Sequence, residues 1–176
     1  MESLIDKGLV KNIGVANFPV ILLHDLLSYS RIPPAVNQVE IQPYNQQSKL
    51  LQYCKSRNIA VHAYSPLGTT GYKESDEPDV LSDLVLKEIA NTRGVSVAQL
   101  CLQWSFQRGC HAVLKISNKK HMEENLLIDY ENEFLLSTAN FQLALDEMVG
   151  IDSLDMSYRF FRPEDWWPDS PVPVFH

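Results

Sequence analysis

The chain of 176 residues lacks the features that would mark a membrane protein or a nucleic-acid-binding protein. No apolar run approaches the length of a membrane span, and the amino terminus has no signal-peptide pattern. A formal net charge of −7 leaves no general basic surface for nucleic acid or for an anionic membrane. We therefore expect a cytoplasmic protein that binds neither.

Candidates for disulfides and metal sites are also scarce. The three cysteines are an odd number without C-x-x-C spacing, and no two of the five histidines are four residues apart. These patterns predict reduced, structural thiols and no metal site. An apolar content of 45% is that of an ordinary globular domain with a sizeable core.

Short apolar runs alternate with helical patterns along the first 115 residues. Strands of a parallel sheet are predicted because such alternation requires crossover connections. The predicted strands are 11–18, 35–42, 59–63 and 112–115, and the helices between them are 20–29, 48–57, 79–91 and 97–107. In the first of these helices, Leu22, Leu23, Leu26 and Leu27 form the predicted buried stripe. Asp79 or Ser82 is expected to cap the third helix, Gly94 to end it and Ser96 to cap the fourth.

The last fifty residues depart from this rhythm. An extra amphipathic helix is predicted over residues 137–149, followed by a tail rich in proline and tryptophan. The aromatic content of the tail exceeds that of a disordered segment, so we expect it to pack on the body or beside a ligand. The chain thus divides into residues 1–150 and a tail of residues 151–176.

The stretch from Val61 to Gly68 is a buried-type strand that ends abruptly at Tyr64 and Ser65. Ligands of α/β folds bind at the carboxyl ends of parallel strands, which makes this end a candidate site. The other interpretation is a core strand whose tyrosine closes the rim, and the spacing alone leaves both open.

Several segments in order resemble the aldo-keto reductase family. They are KNIGVANF at 11–18, AVNQVE at 35–40, Pro43-Tyr44, AYSPLG at 63–68 and Glu124-Asn125-Leu126. The resemblance implies an α/β fold, the carboxyl-terminal half of a (β/α)₈ TIM barrel, with four parallel strands, alternating helices, an extra helix and the tail. A complete barrel needs about 250 residues, so a truncated gene or a shortened gene model is expected.

The resemblance implies an NADPH-dependent reductase of aldehydes and ketones, such as sugars or sugar phosphates. The family's catalytic Tyr, Lys, Asp and His lie in the half that this chain lacks, so no catalytic residue is assigned and the chain alone is expected to be inactive. The tail would border the substrate side of residues 1–150. The alternative is a non-catalytic half-barrel that binds nucleotide or pairs with a dimer mate or partner chain, since two strand edges and one face would be uncovered.

Residues on the cofactor side are better retained than the catalytic ones. By resemblance, the amides of Asn17 and Gln38 hold the nicotinamide carboxamide, and Tyr64 stacks on the nicotinamide ring. Ser65 and Leu67 lie in the loop beside the pyrophosphate, where small residues let backbone N–H groups approach phosphate.

The adenosine end of the cofactor is matched less completely. By resemblance, Lys115, Ser117 and Asn118 fall at the 2′-phosphate, and Glu124 and Asn125 at the adenine. The chain departs from the family pattern here at Ile116 and His121, which weakens the NADP preference and leaves NADH as an alternative. A third departure, Ala16, removes one hydroxyl from the residues that hold the nicotinamide carboxamide and so weakens cofactor binding at the other end.

Overall fold

The computed structural model describes residues 1–68, 76–116, 118–119, 122 and 141–162. Five of the residues named above lie outside this part of the chain, as do positions 137–140 and 163–176. They are Ser117, His121, Glu124, Asn125 and Leu126.

The described elements alternate between strand and helix over most of the chain. They are α1 (Glu2–Asp6), β1 (Gly14–Ala16), α2 (Val20–Tyr29), β2 (Val36–Glu40), α3 (Ser48–Ser56), β3 (Ala60–Tyr64), a 3₁₀ turn (Val80–Ser82), α4 (Leu84–Arg93), α5 (Val97–Gln107), β4 (Cys110–Val113) and α6 (Leu145–Asp152). The strands form one sheet in the order β1-β2-β3-β4, and every pairing is parallel. The prediction of an α/β fold with four parallel strands is confirmed.

The two faces of the sheet differ in composition. Residues that alternate along the strands, including Val39, Val61 and Ala63, belong to the buried core together with helix residues such as Leu23 and Trp104. On the opposite face the register aligns a row that is mostly polar. Its members are Ala16, Gln38, His62 and His111.

The cysteines behave as the sequence predicts. Cys54, Cys101 and Cys110 are free and buried. Burial raises the pKa of Cys110 to about 11, so this thiol stays protonated and unreactive near neutral pH.

Local signals set the ends of α4 and α5. The Asp83 carboxylate accepts the N–H groups of Val85 and Leu86 at 2.9 and 3.1 Å, and Gly94 ends α4 with a φ of 67°. Ser96 and Gln99 form a capping box at the start of α5. Gly94 and Ser96 were predicted in these roles, whereas Asp83 replaces the expected cap at Asp79 or Ser82; Asp79 caps the preceding 3₁₀ turn.

The predicted stripe on α2 is only partly buried. Leu23 is fully buried, but Leu22 is 46% exposed, and Ile21 is 68% exposed. Leu26 and Leu27 are half-buried, and Leu27 packs against the core. The helix packs against α3, and one leucine of the predicted stripe is fully buried.

The extra helix starts later than predicted. Residues 141–144 are not helical, and α6 begins at Leu145. The Gln107 side chain accepts the Leu143 N–H at 2.6 Å and donates to the Leu143 carbonyl at 3.2 Å, so this part of the backbone is bonded to α5 instead of to a helical turn. Strand β4 also ends two residues earlier than predicted, at Val113.

A buried and mostly polar segment, residues 40–46, begins at the last residue of β2 and binds the carboxyl-terminal part of the described chain. The Gln46 side-chain amide donates to the carbonyl oxygens of Ile151 and Asp152 at 3.0 and 3.2 Å. The Tyr44 carbonyl accepts the backbone N–H groups of Met156 and Tyr158 at 3.1 and 2.9 Å. The Gln42 amide donates to the Tyr158 carbonyl at 2.9 Å.

Replacing Gln46 with alanine is expected to lower the free energy of unfolding by about 1–3 kcal/mol, because the carbonyls of Pro43, Ile151 and Asp152 each lose one hydrogen bond. Urea unfolding followed by circular dichroism measures the change. Gln52→Ala on the exposed face of α3 is the matched control and should alter stability by less than about 0.5 kcal/mol. Equal effects of the two substitutions would contradict the role assigned to Gln46.

Candidate functional site

Three of the predicted cofactor residues lie in or directly after three adjacent strands, toward the carboxyl edge of the sheet. Asn17 follows β1, Gln38 lies in β2, and Tyr64 ends β3. The Asn17 backbone N–H donates to the Gln38 carbonyl at 2.8 Å, which continues the β1–β2 pairing past the end of β1. Parallel strands open onto ligand sites at this edge.

Asn17 has a left-handed backbone, with a φ of 60°. Asparagine tolerates this conformation better than most residues do. Its Oδ1 atom is buried and has no hydrogen-bond partner among the residues that the structure describes. A buried amide oxygen without a donor is a favourable acceptor for a ligand N–H.

Tyr64 presents a half-buried ring whose hydroxyl also lacks a described partner. Burial, followed by the charge of Glu40, raises the pKa of Tyr64 to about 12, although Arg159 and the Asn17 amide act in the opposite direction. Phe161 stands nearly perpendicular to the Tyr64 ring, with the centroids 6.0 Å apart. One perpendicular neighbour contacts at most one face of the ring, and a hydroxyl with a raised pKa is a poor proton donor.

The turn after β3 is tight. Ser65 and Gly68 have φ values of 48° and 71°, and the Gly68 N–H donates to the Ser65 carbonyl at 2.9 Å. A Cβ atom on Gly68 would lie 2.9 Å from the Phe160 ring. Glycine is therefore required here by both the backbone conformation and the close approach of Phe160, while Leu67 is half-buried in the same turn.

The residues predicted at the adenosine end do not form a described cluster. Lys115 lies beyond the end of β4 and is exposed, as is Asn118. Ser117, Glu124 and Asn125 belong to the undescribed part of the chain. Asn17, Gln38, Tyr64, Ser65 and Leu67 thus lie in or directly after three adjacent strands, and their contacts with a cofactor stay predictions, as do those at the phosphate and the adenine.

Sequence reasoning did not single out Glu40, which is fully buried at the end of β2. Its two carboxylate oxygens accept the backbone N–H groups of Phe160 and Phe161 at 2.9 and 3.0 Å. Burial raises the pKa of Glu40, and these two N–H groups oppose that effect. The signal in the sequence is the i, i+2 spacing of Gln38, Glu40 and Gln42, which places three polar side chains on one face of a strand.

Two histidines adjoin the site on the polar face of the sheet. The rings of His62 and His111 are 5.7 Å apart. Burial, with repulsion from His111 as the second cause, lowers the pKa of His62. In the described residues no group of three or more metal-ligating side chains converges, so this pair has no third ligand there.

A family model described as the aldo/keto reductase family matches residues 1–144. The chain belongs to the aldo/keto reductase family. An aldo/keto reductase of Synechocystis is 41% identical over 97% of this chain and 51% of its own length. An NADPH-dependent D-xylose reductase of Meyerozyma guilliermondii is 35% identical, over 99% of this chain and 53% of its own length.

A crystal structure of a Bombyx mori aldo-keto reductase in complex with NADP has the same fold. It is 30% identical, with a TM-score of 0.84, over 99% of this chain and 53% of that one. This aldo/keto reductase chain therefore spans about half the length of the curated relatives that it matches. None of its described helices is long and apolar enough to cross a membrane.

Acidification is expected to destabilise this aldo/keto reductase chain through His62. Below about pH 6.5 the unfolded chain takes up a proton on this imidazole, whereas the folded chain resists it, so the free energy of unfolding falls as the pH falls. His62→Gln should flatten this part of the profile, measured by urea unfolding between about pH 7 and pH 5. His24→Gln removes an imidazole at an exposed position and is the control, and equal flattening by both substitutions would contradict the role assigned to His62.

Proposed function

We propose that the chain forms the cofactor side of an NADPH-dependent reductase that acts on small carbonyl compounds such as aldehydes, ketones and sugars. The observation that carries this proposal is the Asn17 Oδ1 atom, which is buried near the Tyr64 hydroxyl and has no hydrogen-bond partner among the residues that the structure describes. An amide acceptor next to an aromatic ring suits a flat ring with a carboxamide substituent. Family membership and the NADPH-dependent D-xylose reductase among the relatives support the same cofactor and substrate class.

The residues present fit the nicotinamide end of the cofactor. Asn17 and Gln38 would bind the carboxamide, Tyr64 would contact the ring, and the turn of Ser65 and Leu67 would face the pyrophosphate. When bound, NADPH supplies a hydride to the carbonyl carbon. The remaining predicted contacts extend to the adenosine end. They are Lys115, Ser117, Asn118, Glu124 and Asn125.

Departures at the phosphate-binding positions bear on the choice between NADPH and NADH. Exposed Lys115 offers a charge to a 2′-phosphate. His121 stands where the resemblance places an arginine, and a histidine is mostly neutral near pH 7. We propose NADPH as the cofactor, with a smaller preference over NADH than an arginine would give.

We further propose that the 176-residue chain does not reduce carbonyls by itself. A general acid needs a hydroxyl that can release its proton to the substrate, usually with a cation beside it. The hydroxyls of Tyr44 and Tyr158 instead contact the carboxylates of Asp83 and Glu77 at 2.9 and 3.4 Å. In both tyrosines burial, helped by these carboxylates, raises the pKa of the hydroxyl.

Titration of the chain with NADPH, followed by NADPH fluorescence, tests the cofactor proposal. Tyr64→Phe keeps the ring and should bind like the wild type, whereas Tyr64→Ala should lose about 1–3 kcal/mol of binding free energy. Tyr29→Ala removes a tyrosine that is 69% exposed and is the control. No binding at millimolar NADPH would reject the proposal, and oxidation of NADPH by the chain with an aldehyde present would reject the predicted inactivity.

A second candidate function is subunit pairing through the open edges of the sheet. Strands β1 and β4 each have one partner strand in the described chain. At the β4 edge Val113 is 42% exposed. Unpaired parallel strands with apolar neighbours favour association with a second copy of the chain.

Sedimentation velocity over a range of concentrations tests this pairing. The wild type should sediment as a dimer, and Val113→Lys should shift it toward the monomer, because a charge at a strand edge disfavours strand addition. Val149→Lys on α6 introduces the same charge at a position that is 60% exposed and should have no effect. A wild-type chain that stays monomeric at all concentrations would exclude this function.

A further inference from the structure

The Glu40 carboxylate, at the end of β2, binds the described end of the chain through hydrogen bonds. Its side chain is fully buried, and it receives three donors. The N–H groups of Phe160 and Phe161 approach its two oxygens at 2.9 and 3.0 Å, and the Gln42 amide lies 3.4 Å from the first oxygen. A buried carboxylate is tolerated where hydrogen bonds and nearby charge compensate for lost hydration.

These two bonds set the position of two aromatic rings. The Phe160 ring packs over Gly68, where only a hydrogen atom fits, and is 9% exposed. The next residue, Phe161, places its ring against Tyr64. By holding the backbone of residues 160 and 161, the carboxylate places the Phe160 ring over the Ser65–Gly68 turn and the Phe161 ring against Tyr64.

The segment that binds Glu40 also supplies a positive charge near this carboxylate. Arg159 precedes the two phenylalanines, and its guanidinium favours the ionised form of Glu40 and lowers the pKa of Tyr64 against the effect of burial. The segment thus supplies two N–H donors and one cation to the end of β2. A neutral side chain of the same shape would keep the packing but lose one acceptor and the charge.

We propose that Glu40 is a positioning residue, which fixes residues 159–161 as one wall of the site at Tyr64 by accepting two consecutive backbone N–H groups. The inference that Glu40 holds this wall rests on these contacts and does not depend on the proposed function. The effect of the wall on cofactor binding does rest on the proposed function.

Trypsin cleavage after Arg159 reports directly on this contact. The bond that trypsin cuts is the Arg159–Phe160 peptide bond, and the N–H group of that bond donates to Glu40. Cleavage requires the segment to leave the sheet, so the rate follows the detached fraction. Glu40→Gln should accelerate release of residues 160–176 about tenfold, detected by mass spectrometry, without a matching fall in the urea midpoint. An unchanged cleavage rate would overturn the proposal.

Glu2→Gln is the matched control. The Glu2 carboxylate also accepts a backbone N–H, that of Ile32 at 2.7 Å, but lies in α1 and outside the wall. The substitution should leave cleavage after Arg159 at the wild-type rate. Equal acceleration by both substitutions would indicate general loosening and would also overturn the proposal.

A second pair of variants keeps Glu40 and therefore remains informative if Glu40→Gln does not fold. Phe161→Ala removes the ring but keeps the N–H group, whereas Phe161→Pro removes both. Cleavage should be about tenfold faster in Phe161→Pro than in Phe161→Ala. Where Glu40→Gln folds, the double variant with Phe161→Pro should show a smaller fold-increase in cleavage rate than the product of the two separate fold-increases. Equal rates for the two Phe161 variants would reject the bond to Glu40.

NADPH titration of the same variants separates this inference from the proposed function. If both hold, Glu40→Gln shifts the NADPH dissociation constant to higher values and also accelerates cleavage. Faster cleavage in a chain that does not bind NADPH supports the wall and rejects the cofactor proposal. Binding of NADPH with cleavage unchanged supports the cofactor proposal and rejects the role of Glu40.

Discussion

The path of the described end of the chain depends on hydrogen bonds to residues 40–46, which lie more than a hundred residues earlier in sequence. The side chains of Glu40, Gln42 and Gln46 bind backbone groups of residues 151–161. The N–H groups of Phe160 and Phe161 find acceptors in this way, and the Ile151 carbonyl, which also accepts the Leu154 N–H, gains a second donor. Because the partners are main-chain atoms, the contact fixes where the segment runs independently of most of its side chains.

Backbone conformation at the strand ends complements this contact. Asn17 and Ser65 both have positive φ, which is unfavourable for residues with a Cβ atom, and both immediately follow strands at the carboxyl edge. Such conformations persist where the surroundings hold them, and they cluster at ligand sites. Here they turn the chain sharply after β1 and β3, and this leaves the Asn17 amide and the Tyr64 ring facing the same region.

Local features of the sequence predicted the fold well, and long-range contacts explain the failures. Ser96 and Gly94 were identifiable because a cap or a stop depends on a few neighbouring residues. The start of α6 could not be placed, since Gln107, from another helix, bonds Leu143 and prevents an earlier start. Glu40 was missed for a similar reason: a carboxylate in a strand has no evident role until the backbone that it binds is known.

Two polar atoms of the candidate site lack hydrogen-bond partners among the described residues. Asn17 Oδ1 and the Tyr64 hydroxyl are buried without a described partner, and each such atom costs about 1–3 kcal/mol. A ligand or a second chain that supplies donors there recovers this cost only in the folded state. Binding at this edge therefore stabilises the fold by linkage. The polar face that carries Gln38 and His62 is a second surface where a ligand or another chain would bind, since a parallel sheet is normally covered on both sides.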